Sequence, residues 1–233
     1  RTVRSESCGA MHDAPLIGPY NPEDVLAWEG DGPRTARQFL SDVTRLADSL
    51  PDRPAVLNLL SSRYEFLVGF AAAMLRGQVT LLPQSRAPQT LRRIAGDYRE
   101  SYCLTNQDEP VEGIESVVLQ QHGSLAGWPK RIPHIPLNQV AAIAFTSGST
   151  GQPMPNKKTW GALTAVARAT GARLGVKAGA AAAVVATVPH QHMFGLEASV
   201  MLSIVHGLVM HAGRPLFPAD IRDALADVAG KRI

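Results

Sequence analysis

Cysteine is nearly absent. Cys8 and Cys103 are the two in 233 residues, too few for a disulfide framework and in no metal-ligand spacing. A reducing compartment follows as the expectation. Aromatic residues make up 6% and charged residues 18%, and the net charge of +3 gathers into no basic run, so no nucleic-acid surface is expected. Long apolar runs are missing as well. Ala178–Val188 is too short to cross a bilayer, and Met193–Val205 carries Glu197, so no membrane partner is expected. The first residues are charged but have no apolar segment behind them, which excludes a signal peptide. Residues 1–14 read as a disordered or cloning-derived leader, with Met11 fitting an original start. No repeat occurs at periods of 20 to 50 residues. The expectation is a soluble, cytoplasmic protein whose oligomeric state the sequence leaves open.

Hydrophobic residues reach 45%, enough for a sizeable core. They fall in short apolar runs that alternate with helical patterns. Val25–Trp28 reads as a strand closed by a Gly-Asp-Gly turn, and Thr35 to Leu50 as a helix with Thr35 and Gln38 in capping-box positions. Pro54–Leu60 reads as a buried strand. Ser62 and Glu65 have capping-box spacing for the next helix, which stops at Gly77. Val79–Leu82, a helix with Pro88 in its first turn, Ser101–Thr105 and Ser116–Leu119 continue the series. Residues 106–138 are broken by Pro110, Gly113, Gly123, Gly127, Pro129, Pro133 and Pro136, so they read as loop with one short strand inside. Beyond them come strand Val140–Phe145, a polar loop, helix Thr159–Leu174, strand Ala182–Val188, helix Leu196–Val205, strand Leu208–Ala212 and helix Ala219–Val228. Such alternation predicts an α/β fold of mostly parallel sheets with flanking helices. The expected organisation is one α/β portion over 15–138 and a second over 139–233. Lys231-Arg232-Ile233 reads as entry into a further strand, so the chain reads as cut from something longer.

The stretch that carries chemistry follows the strand Val140–Phe145. Thr146-Ser147-Gly148-Ser149-Thr150-Gly151 supplies six small residues, four of them hydroxylic. Backbone and hydroxyl donors converge easily where no bulky side chain blocks approach, which suits phosphate oxygens. Position agrees, because ligands of α/β sheets bind outside the carboxyl ends of strands. A flexible Ser/Gly linker is the plain alternative, but it does not explain the bracketing by a strand and a helix. A Walker loop is excluded because no Gly precedes Lys157. A nucleophile elbow is excluded because Ser147 stands two before Ser149, which leaves a serine hydrolase using Ser147 or Ser149 with His192 as a minor reading. His190 and His192 also have His-x-His spacing, but no third metal ligand is singled out.

Thr146–Gly151 followed by Gln152-Pro153 resembles the phosphate-binding loop of the adenylate-forming superfamily of acyl- and aryl-CoA synthetases, carrier-protein adenylation domains and luciferases. Thirty-eight residues past Gly151, Pro189-His190-Gln191-His192-Met193-Phe194-Gly195-Leu196 resembles the P-x-x-H-x-x-G-L segment of the same family. The resemblance implies part of the large N-terminal domain of an adenylate-forming enzyme. It implies an AMP-forming ligase that activates a small carboxylic acid with ATP and Mg2+ and passes it to CoA or to the phosphopantetheine of an acyl carrier protein. By that pattern Thr146, Ser147, Gly148, Ser149, Thr150 and Gly151 hold phosphates, with Thr150 on the magnesium side. His192 stands near the reacting carboxylate, and Phe194 and Gly195 shape the acyl pocket. The 152–161 stretch looks like ligases of pigment or polyene pathways, which implies an aromatic or medium-chain acid.

Two departures qualify the resemblance. Met154 occupies the position where the family loop usually has lysine, and Lys157 and Lys158 are the candidates to replace the missing charge. The family's Tyr-Gly-x-Thr-Glu and Thr-Gly-Asp segments and its late lysine do not occur in these 233 residues. The chain by itself is therefore expected to bind ATP weakly and not to turn over. The competing reading is a non-catalytic or truncated nucleotide-binding scaffold of the same family.

Overall fold

The computed structural model describes residues 12–30, 32–106, 111, 113–119, 127–147, 153–177, 179 and 182–228. The first half of the chain forms β1 (Asp13–Pro15), β2 (Val25–Glu29), β3 (Gly32–Thr35), α1 (Ala36–Ser49), β4 (Ala55–Asn58), α2 (Arg63–Leu75), β5 (Val79–Leu82), α3 (Pro88–Asp97), β6 (Ser101–Thr105) and β7 (Ser116–Val118). The second half forms β8 (His134–Pro136), β9 (Val140–Ser147), β10 (Pro153–Thr159), α4 (Trp160–Arg173) and β11 (Ala183–Val184). It closes with α5 (Met193–Gly195), a π-helical stretch Leu196–Met201, α6 (Leu202–His206), β12 (Val209–His211) and α7 (Pro218–Val228).

Six strands make the main sheet in the order β10-β9-β5-β4-β6-β7. It is parallel from β9 to β7, with β10 antiparallel at one edge. A second sheet runs β11-β12-β2-β3, and β1 pairs with β8. The fold is therefore α/β. The β4, β5, β6 and β9 strands are apolar almost throughout because both faces of the sheet are covered. Successive side chains point to opposite faces. Val56, Leu104 and Ala142 join the larger core with α1 and α2, whereas Leu57, Cys103 and Ile143 join a smaller one with Leu91 and Ile94 of α3. Among the described residues no helix is long and apolar enough to cross a membrane.

Helix α1 starts as expected, with a complete capping box between Thr35 and Gln38. At α2 the box is half made. Ser62 accepts from the Tyr64 and Glu65 amides, but the Glu65 carboxylate accepts from Asn106 Nδ2 instead of turning back. The two portions drawn on either side of residue 138 interleave, since β9 pairs with β5 and β12 with β2. Asp13 and Ala14, placed in the expected leader, belong to β1, and Ala14 is buried. Residues 153–158, expected as a polar loop, form β10. Prolines hid this strand, and an edge strand tolerates them. The expected strand Ala182–Val188 shrinks to Ala183–Val184, because the Ala186 and Val188 carbonyls are held by an arginine and not by a ladder.

That arginine is Arg63, the first residue of α2 and fully buried. Its Nη1 donates to the His211 and Gly213 carbonyls at 2.8 and 2.6 Å, and its Nη2 to those of Ala186 and Val188 at 3.1 and 3.0 Å. One planar fork thus ties together the chain leaving β11, the chain leaving β12 and the start of α2. Burial lowers its pKa to about 10, aided by the charge of Arg214, so it stays protonated at neutral pH. Beside it His190 is buried against the Phe66 ring, centroids 4.7 Å apart, with Nε2 donating to the Leu60 carbonyl at 3.1 Å. Burial is the main reason that the His190 pKa falls to about 4; the Leu60 bond raises it, while Arg63, Arg86 and Arg214 lower it further.

Two measurements check these roles. Arg63→Met takes the donor from four carbonyls at once and is expected to cost about 3 kcal/mol or more in urea unfolding; a loss under about 1 kcal/mol would show that water replaces the guanidinium. For His190, an unfolded histidine titrates near 6.5 and the folded one near 4. Between those values the unfolded chain binds the extra proton, so stability falls as pH drops, by about 1.4 kcal/mol per unit. His190→Gln is expected to remove one proton from the pH dependence of the unfolding midpoint between about pH 6.5 and 4.

Candidate functional site

Strand β9 leaves the middle of the molecule and ends at Thr146 and Ser147 on the carboxyl edge of the parallel sheet. Gly148, Ser149, Thr150 and Gly151 lie outside the described residues. The chain returns as β10, with Pro153 opposite Ser147 and Met154 opposite Thr146, so β9 and β10 form the stem of a hairpin. The stem of that hairpin is set by apolar β9, whose Ala141, Ala142 and Ile143 are buried. Thr159 then caps α4 by accepting from the Ala162 amide. Trp160 behind it is fully buried, and its Nε1 donates to the Ala14 carbonyl at 3.4 Å. The indole is a packing residue of the core.

The second motif arrives at the same edge by a different route. Arg63 fixes Ala186 and Val188, and the turn Pro189–His192 follows. His190 and Gln191 both donate to the Leu60 carbonyl, just past β4, at 3.1 and 3.2 Å. The turn is thereby anchored two strands from β9 in the sheet order, a spacing of about 10 Å. The two histidines part company here: His190 is buried and His192 exposed, so they do not share one face. His192 serves as the residue before α5, its backbone amide donating to the Pro189 carbonyl.

Phe194, expected in the acyl pocket, is 67% exposed. Leu196, Val200, Met201 and Ile204 after it are buried. Gly195 is buried, and a Cβ there would overlap the Pro189 carbonyl oxygen, so only glycine lets α5 start this close to the turn. The helix begins at Met193 and not at Leu196, and its π stretch shifts the phase between the exposed Phe194 and the buried face. On the hairpin stem, Lys157 is exposed and Lys158 Nζ lies 3.9 Å from Glu197 Oε1. They stand opposite Ile143 and Ala142, about 14 Å along the strand from its Ser147 end for Lys157. Met154 is 62% exposed.

Several features were missed from sequence. Arg63 gave one signal, a charge at the first position of an otherwise apolar helix. Arg86 and the Leu60 carbonyl gave none. A cavity of about 720 Å³ lies elsewhere, between α1, α2 and β7, and none of the expected site residues lines it. Its charges are paired internally, as in Tyr64 Oη to Asp42 and Arg45 to Asp42. Burial pushes the Cys103 thiol in β6 up to about 12, which leaves it protonated and inert. Among the described residues no group of three or more His, Cys, Asp or Glu could hold a metal ion.

Comparison with known proteins agrees with this fold. Among solved structures, the o-succinylbenzoate CoA synthetase MenE from Bacillus subtilis, in complex with the acyl-adenylate intermediate OSB-AMP, superposes with a TM-score of 0.74 at 18% identity. The match covers 89% of this chain and 57% of that one. The same synthetase in complex with ATP and magnesium ion gives 0.72, also at 18% identity, over 88% of this chain and 57% of that one. The Klebsiella oxytoca NpsA N-terminal subdomain, in complex with 3-hydroxybenzoyl-AMSN, gives 0.64 at 15% identity, over 84% and 51%. A curated relative, the nonribosomal peptide synthetase ftmPS of Neosartorya fischeri, is 28% identical over 163 residues, which is 65% of this chain and 7% of that protein. The chain thus spans little more than half of these structural relatives and a small part of the peptide synthetase. The AMP-binding enzyme family profile matches residues 20–231, and the chain belongs to that family.

Proposed function

We propose that the chain is the N-terminal part of an AMP-forming ligase that activates a carboxylic acid as an acyl-adenylate and passes it to a thiol of CoA or of a carrier protein. The observation that carries this reading is the hydroxyl-rich segment at the carboxyl edge of the parallel sheet, on the same edge as the His192 turn. Thr146 to Gly151 offer amide and hydroxyl donors with two glycines that leave room for close approach, a donor set that fits phosphate oxygens. The residues also fit magnesium through Thr150, since a hydroxyl beside phosphate oxygens suits a hard cation. When bound, magnesium would neutralise phosphate charge. His192, exposed and held by a backbone anchored on Leu60, would orient the acid's carboxylate toward the α-phosphorus. Phe194, exposed beside it, would border the acyl group, and the tight seat of Gly195 would fix where that border lies.

Lys157 and Lys158 divide the remaining charge. Lys158 is engaged with Glu197, whereas Lys157 has no ion-pair partner among the described residues and is the better donor of charge to a polyphosphate lying along the hairpin. The second reading, a nucleotide-binding scaffold without turnover, is favoured by Met154, which stands opposite Thr146 with no charge to offer.

ATP with magnesium at ten times its dissociation constant is expected to raise the melting temperature of the 233-residue chain by about 3–6 °C, with no pyrophosphate exchange. Thr150→Val should abolish the shift. No response to ATP, or a response that Thr150→Val leaves intact, removes the phosphate-loop assignment. Lys157→Ala is expected to weaken ATP binding severalfold in calorimetry, and unchanged affinity would assign Lys157 to the hairpin stem alone.

A further inference from the structure

The loops at the carboxyl edge concentrate arginine in a way the reaction above does not use. The Leu60 carbonyl accepts from Arg86 Nη2 at 3.2 Å as well as from His190 and Gln191. Three donors on an oxygen with two lone pairs hold the Arg86 fork beside the turn that carries His192. From the other side, Arg63 grips the Gly213 carbonyl at 2.6 Å, and Arg214 is the next residue. The charge of Arg214 bears on Arg63, Arg86 and His190 alike; burial is the larger cause, and Arg214 adds to it, in lowering the proton affinity of all three. Arg63 contributes field but no outward donor, because its Nη atoms bond four carbonyls and its Nε is buried without a partner. Arg86 and Arg214 are both exposed, and among the described residues neither has a carboxylate partner.

We propose that Arg86 and Arg214, brought to the His190–His192 turn by the Leu60 and Gly213 carbonyls, form a subsite for an oxyanion on a small molecule lying across that turn. Guanidinium forks bind carboxylate and phosphate bidentately, and an anion between them offsets repulsion that the fold leaves uncompensated. The proposal rests on the reading of the His192 turn as the acid-binding end. The oxyanion is then a second anionic group on the acid, distinct from the carboxylate to be activated, or a phosphate of the thiol acceptor.

Calorimetry on the 233-residue chain with glutarate, butyrate and inorganic phosphate tests it. Saturable binding of glutarate or phosphate is expected, at least tenfold tighter than that of butyrate, and Arg86→Gln or Arg214→Gln should each weaken it about tenfold. Preference for glutarate assigns the subsite to the acid, and preference for phosphate assigns it to the acceptor. No saturable binding, or binding unchanged in the Arg86→Gln, Arg214→Gln double variant, overturns the proposal. The two readings separate cleanly. If the double variant loses glutarate and phosphate but keeps its response to ATP, the subsite stands apart from the phosphate loop. If ATP fails to bind while those probes still bind through the arginines, the phosphate-loop reading fails and the subsite survives.

Discussion

A guanidinium fully removed from water, its four Nη bonds all ending on backbone carbonyls, is the constraint on which the carboxyl edge of this molecule depends. Strands β11 and β12 are two and three residues long, too short to fix the loops beyond them by ladder bonds. Arg63 takes over that task. Its four carbonyl partners belong to half-buried or exposed loop residues, and the charged fork holds them in place with bonds stronger than neutral ones. The arginine backbone also joins in, its amide donating to the Ala212 carbonyl at 3.0 Å. The start of α2, the turn before α5 and the chain after β12 are therefore one mechanical unit.

Two motifs separated by β10, α4 and β11 reach the same sheet edge on different supports. Thr146 and Ser147 end β9 in the β9–β10 hairpin, whose position is set by the parallel sheet. The His192 turn hangs on Arg63 and on the Leu60 carbonyl. The Lys158–Glu197 pair links the hairpin stem to the helix that carries Phe194. At 3.9 Å and partly exposed it contributes little energy, but it sets the two supports side by side. The π stretch adds to this. It lets Gly195 press against the turn while the following residues keep the buried face of the helix.

The parts of the fold legible in sequence are those governed by local rules. Val79–Leu82 and Ser101–Thr105 fall where continuous apolar runs put them, and α1 starts at Thr35 because its capping box is complete in the chain itself. Elements made by distant pairing were not legible. β1 and β8 are three residues each and exist because Asp13–Pro15 finds His134–Pro136. β10 is rich in proline and lysine and is a strand only because β9 supplies a partner. The same division holds for the candidate site. Thr146–Gly151 and the Pro189–Leu196 segment announce themselves by residue type and order. Arg63, Arg86 and the Leu60 carbonyl act through hydrogen bonds spanning 26 to 150 residues, which no local pattern encodes.

The composition of β10 has a consequence for self-association. Pro153 and Pro155 share one phase of an edge strand and carry no N–H. On such an edge the missing donors must be those facing away from β9, because the inward ones build the ladder. An incoming strand would find gaps where it needs hydrogen bonds, and next to them the exposed charge of Lys157 to repel it. The hairpin that presents the hydroxyl-rich segment thereby also blocks fibril-like growth of the main sheet on that side.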